Sequence, residues 1–247
     1  MSLYDNRAKY YDNRHDSPST IHLRTFEKRV LKKYASGKVL DIGCGTGYHL
    51  KFLKTLKYKN ISAIGIDKSR QMIDSSNLPV FDTNNISSIS VQQASAEKLP
   101  FQDKSFDTVL CMFSTLNLLG DKEVSEIQRV MKNNGLLIIS VASIWDKKGP
   151  SFFEKKNMKI ENHMKFKKVS IDKHNLSFRL FTKKDLVEYM KSFGLSLVDF
   201  QGIFVYQRPY WGRFEDFSIS EKIKLFFDKL QQSGDLGAMY LAVFSKN

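Results

Sequence analysis

Apolar positions along this 247-residue chain follow two alternating rhythms. Short, dense apolar runs suit buried strands, and between them apolar residues return every three or four positions, as on one helix face. Asp16-Ser17-Pro18-Ser19 is a helix-start signal, because a polar cap followed by Pro presets the first turn. Ile21, Leu23, Phe26, Val30, Leu31 and Tyr34 follow at mostly helical spacing, and Ser36-Gly37 ends the run. The pattern then predicts a strand over Lys38–Ile42, a helix over 46–56 with Leu50, Leu53 and Leu56 on one side, and a strand over 61–66 ending at Asp67. A helix opens over 69–75, and strands are predicted over 89–94 and 106–113. Residues 121–131 read as a helix with Val124, Ile127, Val130 and Met131 on one face. Asn133-Asn134-Gly135 reads as a turn, and 136–141 as a fully apolar fifth strand.

Beyond Val141 the rhythm loosens. Residues 145–168 are basic and aromatic without a clean period, whereas 168–171 and 176–181 suit a hairpin about Lys173-His174-Asn175. Thr182 caps a helix running to Phe193, and Gly194 ends it. A strand over 195–205, a helix over 221–231 and a strand over 237–244 complete the chain. Strands alternating with helices predict a doubly wound, parallel α/β sheet. Right-handed crossovers then bring the C-terminal strand ends to one side, where ligands bind at the switch in strand order. Residues 41–47, Asp67, Ser95-Ala96 and 111–113 all fall at such ends, so four strands converge on one rim. With no internal repeat or low-complexity linker, we expect one domain. Its parts are a helical cap over 1–36, a core over 37–144, a basic insertion or lid over 145–181, and a helix-strand-helix-strand tail over 182–247.

A hydrophobic fraction of 42% supports a proper core. No apolar run is long enough for a transmembrane helix, and the polar N-terminus lacks the apolar stretch of a secretory signal. Cys44 and Cys111, without C-x-x-C spacing, read as free thiols of a cytoplasmic protein, and no metal site is indicated. The net charge of +13 is uneven, since residues 146–191 alone hold 13 basic and 6 acidic side chains. That surplus reads either as a lysine-rich solvated face or as a patch for an anionic partner such as RNA or a lipid surface. Lys outnumbers Arg there, and Arg is the better phosphate reader.

The most informative segment is Val39 to Gly47, V-L-D-I-G-C-G-T-G. Its alternating glycines suit a tight strand-to-helix turn where a ligand lies against bare backbone. A dinucleotide fold uses G-x-G-x-x-G and seats a pyrophosphate on the helix N-terminus. Here the spacing is G-x-G-x-G and Asp41 stands just before it, where a carboxylate repels an anion. A cofactor with a positive group is favoured over NAD. S-adenosylmethionine fits, having an α-ammonium, a sulfonium and no phosphate. Asp67 can accept hydrogen bonds from ribose hydroxyls, as acids in NAD sites also do, or cap the next helix.

V-L-D-I-G-C-G-T-G, G-I-D-K-S-R-Q-M-I, A-S-A-E-K-L-P-F-Q-D-K-S-F-D-T-V-L and R-V-M-K-N-N-G-L-L-I-I-S occur in this order through residues 39–140. Together they resemble the class I S-adenosylmethionine-dependent methyltransferases. The likeness is greatest to the type 11 subgroup that includes the ubiquinone/menaquinone C-methyltransferases and many small-molecule methyltransferases. The tail matches in outline. The resemblance implies a Rossmann-like, seven-stranded, mostly parallel sheet with the last strand antiparallel, S-adenosylmethionine as cofactor, and methyl transfer as the reaction. It implies that Asp41, Gly43 and Gly45 surround the methionine part, that Asp67 holds the ribose, and that the Lys68 backbone lies near the adenine. Ser95 and Ala96 would meet the adenine edge, with the Ala96 amide as donor, and the Cys111 carbonyl would meet the ammonium. Tyr10-Tyr11-Asp12 resembles an N-terminal aromatic gate, which adds Tyr11 to the cofactor set.

Two positions depart from the family pattern: Ser95 stands where an acid is common, and Asn117 near where a His is common. A small-molecule acceptor is expected. The alternatives are an RNA methyltransferase that grips phosphates with the basic segment, and a non-catalytic S-adenosylmethionine-binding partner of another enzyme. No catalytic base is assigned. His15, His22, His163 and His174 are candidates, and Phe113, Trp145, Phe152, Phe153, Tyr206, Tyr210 and Trp211 are candidate walls of an acceptor pocket.

Overall fold

A computed structural model of the chain describes residues 8, 17–82, 88–144, 158–163, 166–171, 176–205, 219–230, 234, 235 and 237–247. Helix α1 (Pro18–Tyr34) starts where Pro18 follows Ser17, whose hydroxyl accepts from the Thr20 N–H at 3.2 Å. Strand β1 (Lys38–Ile42) runs into the glycine turn and α2 (Tyr48–Thr55), whose Leu50 and Leu53 are buried as the spacing requires. There follow β2 (Ser62–Asp67), α3 (Arg70–Ser75, capped by Ser69), β3 (Ile89–Gln93) and β4 (Phe106–Cys111). A short α4 (Thr115–Leu118) leads to α5 (Asp121–Val130), which buries Val124, Ile127 and Val130, and to β5 (Met131–Ala142). Then come β6 (Met158–His163), β7 (Phe166–Ile171), β8 (Leu176–Leu180), α6 (Lys183–Lys191), β9 (Leu195–Ile203), α7 (Ile219–Leu230) and β10 (Met239–Lys246).

Seven strands form one sheet in the order β3-β2-β1-β4-β5-β10-β9. The first five pair in parallel, and β10 lies antiparallel between β5 and β9. This is the Rossmann-like fold expected, with its reversed final strand. The order turns back between β1 and β4, which are neighbours through Asp41↔Leu110, and that is the switch point where a ligand crevice opens. Side chains alternate across β1. Val39 joins the apolar layer under α1 and α2, whereas Leu40 joins the layer under α5 and α6. By the same alternation Asp41 faces α1 and α2.

Several local readings are corrected. Strand β5 begins at Met131, so 133–135 is not a free turn. Instead Asn134 takes φ 60° and the pairing with β4 slips between Phe106 and Thr108, a bulge that absorbs the extra residues. Nor is β5 fully apolar, since Ser140 is buried in its middle. Strand β4 stops at Cys111, because Phe113 and Ser114 take left-handed φ of 52° and 66°. The expected hairpin is the β7–β8 pair, with Ile171↔Leu176 at its end, and β6 adds a third strand through Met158↔Ile171. With only Met158 and Ile160 as apolar side chains, that strand's period is too short to stand out in the sequence. Where this segment leaves and rejoins the core, Ser143 bridges Phe181 and the Ile144 N–H donates to the Phe181 carbonyl at 3.1 Å. Among the described residues no helix is long and apolar enough to cross a membrane.

Candidate active site

The site begins where β1 ends. Asp41 lies between Gly65 of β2 and Leu110 of β4, and it is only 1% exposed. After it Gly43, Gly45 and Gly47 take φ of 67°, 55° and 79°, which side chains resist. At Gly43 the restriction is also steric, since a Cβ there would sit 2.7 Å from Thr115 Cγ2. The turn thus presents bare peptide beside a buried acid. Asp41 Oδ2 has no hydrogen-bond partner among the described residues. Burial, opposed by the His49 charge and reinforced by those of Glu27 and Asp67, pushes this carboxyl up to about 7. A buried acceptor left open is costly and marks a place for a donor or cation. The ammonium of an amino-acid-bearing cofactor meets that need, so the residues present fit S-adenosylmethionine.

Asp67 ends the neighbouring strand, and its carboxylate is already engaged. Oδ2 accepts from Gly45 N–H at 2.9 Å and Oδ1 from Ser69 N–H at 2.8 Å. It therefore clamps the glycine turn to the start of α3. An ionised carboxylate has about four acceptor positions, so this clamp is compatible with ribose contacts as well. The cap of α3 is Ser69, not Asp67: its hydroxyl accepts from Met72 N–H. Lys68 points outward, 3.8 Å from Glu97, while its carbonyl accepts from Gln93 Nε2 at 3.2 Å. Half-buried Ser95 and Ala96 follow β3, where Ala94 N–H donates to the Asp67 carbonyl and Ser95 Oγ accepts from Glu97 N–H. Cys111 is buried at the end of β4. Asp41, Gly43, Gly45, Asp67, Lys68, Ser95, Ala96 and Cys111 thus share the rim formed by the heads of β1 to β4. Burial pushes both thiols, Cys44 and Cys111, far up, so neither serves as a nucleophile at neutral pH. Tyr11 lies outside the described residues.

Beneath the rim lies a network that the sequence pattern did not single out. His49 Nε2–H donates to Glu27 Oε2 at 2.9 Å, joining α2 to α1 through two buried side chains. Ser140 Oγ donates to the other oxygen of Glu27 at 2.5 Å and accepts from Phe113 N–H at 2.6 Å. The left-handed turn after β4 is therefore tied, through Ser140, to the ion pair. Burial raises the Glu27 carboxyl, but the His49 charge and hydrogen bond, then Ser140 and Arg24, outweigh it and hold it below its ordinary value. Burial likewise depresses His49, yet Glu27 overrides this and the ring's value rises. Both directions describe a carboxylate–imidazolium pair. A signal did exist, because Glu27 falls among Leu23, Phe26 and Leu31 on an apolar helix face where an acid needs a partner.

His22 is packed between Phe26 and Phe204, with ring centroids 5.1 and 5.3 Å away, inside the core. His15 and His174 lie outside the described residues, and His163 falls in β6. Phe113 stands at the rim, whereas Trp145, Phe152, Phe153, Tyr206, Tyr210 and Trp211 lie outside the described residues. Asn117, one of the two departures from the family pattern, is wholly buried and bonds the fold together. It donates to the carbonyls of Ala142 and Arg179 and accepts from Ala142 N–H.

The methyltransferase-domain family matches residues 39–135. Over 210 residues, 79% of the chain, it is 31% identical to an uncharacterized protein of Methanocaldococcus jannaschii, of which the match covers 75%. It is 32% identical to a ubiquinone/menaquinone biosynthesis C-methyltransferase of Citrifermentans bemidjiense over 117 residues, 47% of the chain and 50% of that enzyme. The match thus spans about half the length of the quinone-pathway relative. A chain in the complex between the Haloferax volcanii Trm112 methyltransferase activator and a methyltransferase superposes with a TM-score of 0.65 at 18% identity, covering 99% of this chain and 98% of that one. At that identity the superposition speaks for the fold alone. With the fold, the glycine turn and these matches together, the chain belongs to the class I S-adenosylmethionine-dependent methyltransferases, in the type that includes the ubiquinone/menaquinone C-methyltransferases. Its cofactor is S-adenosylmethionine.

Proposed function

We propose that this methyltransferase acts on a small-molecule acceptor, with S-adenosylmethionine lying along the heads of β1 to β4. The open, buried oxygen of Asp41 beside the glycine turn carries the placement. Asp41 takes the α-ammonium, helped by the Cys111 carbonyl, while Gly43 and Gly45 let the methionine part approach bare peptide. Asp67 receives ribose hydroxyls, and Ser95 with the Ala96 amide meets the adenine edge over the Lys68 backbone. S-adenosylmethionine supplies a methyl group on a positive sulfur, an electrophile that needs alignment more than activation. The chain's part is to fix the donor and exclude water at the rim. With both buried thiols held neutral, the nucleophile comes from the acceptor.

The named relative in quinone biosynthesis supports a small acceptor, an electron-rich ring methylated at carbon. The basic segment 146–191 supports the rival reading, an RNA held through its phosphates. The two separate in one assay. Radiolabelled S-adenosylmethionine is offered with a demethylated quinol or with bulk tRNA, at low and at moderate salt. Label in the quinol, insensitive to salt, supports the proposal. Label in tRNA that falls steeply with salt replaces it with the rival. Calorimetry with S-adenosylhomocysteine tests the placement itself, which fails if Asp41→Ala binds as the native chain does.

A further inference from the structure

The acid that receives the ammonium sits in a hostile place. From β2 it faces the Asp67 carboxylate, from α1 the Glu27 carboxylate, and from the turn and β4 the Cys44 and Cys111 thiols. Each of these groups disfavours a second negative charge or offers none of the opposite sign. Among the described residues, the positive group acting on Asp41 is the His49 ring from α2. Arg24 stacks on the Tyr48 ring at 3.6 Å, one residue from His49, and its charge acts on Glu27 and His49.

We infer that His49, bonded to Glu27 and buried on the sheet face toward which Asp41 points, is a positioning residue that eases the ionisation of Asp41 when the cofactor's ammonium arrives. The inference rests on the placement of the ammonium at Asp41 given above. His49 never touches the cofactor in this scheme. The ring is fixed by its 2.9 Å bond to Glu27, which Ser140 anchors from β5. Its pull on Asp41 exceeds the push of Glu27, so the pair as a whole favours the charged acid. Ionisation of Asp41 is thereby supported from below the rim, on the side away from the ligand. The same pair ties α1 to the site, so the N-terminal helix takes part in cofactor affinity without lining the pocket.

Calorimetric titration of S-adenosylhomocysteine into the full chain, from pH 6 to 8, tests this. Native affinity rises with pH as Asp41 ionises. In His49→Gln the rise moves to higher pH, so the loss relative to native is about fivefold at pH 6 and closes toward unity by pH 8. Glu27→Gln, which deprives the ring of its counter-charge, shifts the rise in the same direction. A loss that is equal at every pH, or no loss, overturns the inference and leaves His49 as packing only. Should the variants not fold, the native chain answers alone. Its His49 Cε1–H resonance moves to the neutral position at a higher pH than that of a free imidazole, and a ring that titrates at or below the free value refutes the idea. Asp41→Asn separates the two readings. If it binds S-adenosylhomocysteine like the native chain, the placement has failed. If it does not bind while His49→Gln shows a pH-independent ratio, only the role of His49 has failed.

Discussion

The two ends of the central sheet are built on opposite terms. Where the parallel strands begin, Arg129, Asp107 and Lys246 are each held by several partners. Arg129 spends Nε, Nη1 and Nη2 on Glu126, Asp103 and the carbonyls of Leu99 and Phe101. Asp107 receives Lys38 N–H and Lys132 Nζ, and Lys246 Nζ donates to the carbonyls of Gln128 and Met131. Where the strands finish, Asp41 keeps an open oxygen, other carboxylates crowd it, and Phe113 takes a left-handed φ that bulky residues avoid. One end holds the fold together. The other is kept strained and incompletely paired, as the proposed ligand site requires.

Asp41→Asn gives the largest expected effect, and it moves binding and stability in opposite directions. Losing a buried ammonium–carboxylate contact costs about 2–5 kcal/mol, a drop in S-adenosylhomocysteine affinity of roughly thirtyfold or more. The free protein, however, gains. Its acid titrates near 7 in the fold and near 3.8 unfolded, so folding is favoured below about pH 4 and the contribution drains away as pH rises through 7. The variant escapes that loss. Its stability advantage is absent at pH 4, grows toward pH 7 and levels off above it at on the order of 4 kcal/mol. Urea unfolding at pH 4.5 and 8 checks the sign. A variant less stable than native at pH 8 would mean that Asp41 is supported by contacts not seen here.

Arg129→Met, at the other end, is the converse. It strips partners from Glu126 and two loop carbonyls. Because the side chain is 29% exposed and water can replace some of those bonds, the cost is about 1–3 kcal/mol. Denaturant midpoints report it, while S-adenosylhomocysteine affinity stays within about twofold, since the proposed ligand site is at the other end. Weakened binding in the folded variant would break the separation of the two ends.

The contrast also explains what the sequence made legible. The glycine turn, Asp41 and Asp67 belong to local motifs, so spacing alone placed them on one rim. The parallel order followed from the alternation of strands and helices. Glu27, His49 and Ser140 escaped because they meet only after α1 and α2 cross and β5 slides beneath them. Their partners lie 22 and 113 positions away along the chain. Each had a local anomaly, a polar side chain on an apolar face, but an anomaly does not name its partner. Strand β6 escaped for another reason. Its six residues carry only two apolar side chains, Met158 and Ile160, too short an alternation to stand out, and hydrophobic period is all that marks a strand.

Proton release sharpens the comparison next. If the bound ammonium holds Asp41 ionised while the free protein titrates near 7, binding at pH 6 sets free close to one proton, and at pH 8 almost none. Titrations in two buffers of different ionisation enthalpy measure this directly. Below pH 7 the affinity falls by about tenfold per unit at the limit. Asp41→Asn abolishes the proton release, whereas Arg129→Met leaves it intact. Release that persists unchanged in Asp41→Asn would assign the proton to another group.

Ser95→Asp is the smallest of these changes and asks whether the ligand end can still be improved. Ser95 accepts from Glu97 N–H at 3.3 Å, a role that an aspartate keeps, so the turn after β3 is preserved. The added carboxylate gains an acceptor for the adenine amino group. It also brings a third acid near Asp67 and Glu97, which offsets part of the gain. At a half-buried position a charge-assisted hydrogen bond is worth about 1.5–3 kcal/mol before that repulsion, and the remainder predicts a severalfold increase in affinity for S-adenosylhomocysteine. The gain vanishes for the inosine analogue, which lacks the amino group. An equal gain for both ligands would mean that the new charge acts through the ligand's ammonium, as Asp41 does, and that the adenine edge lies elsewhere on the rim.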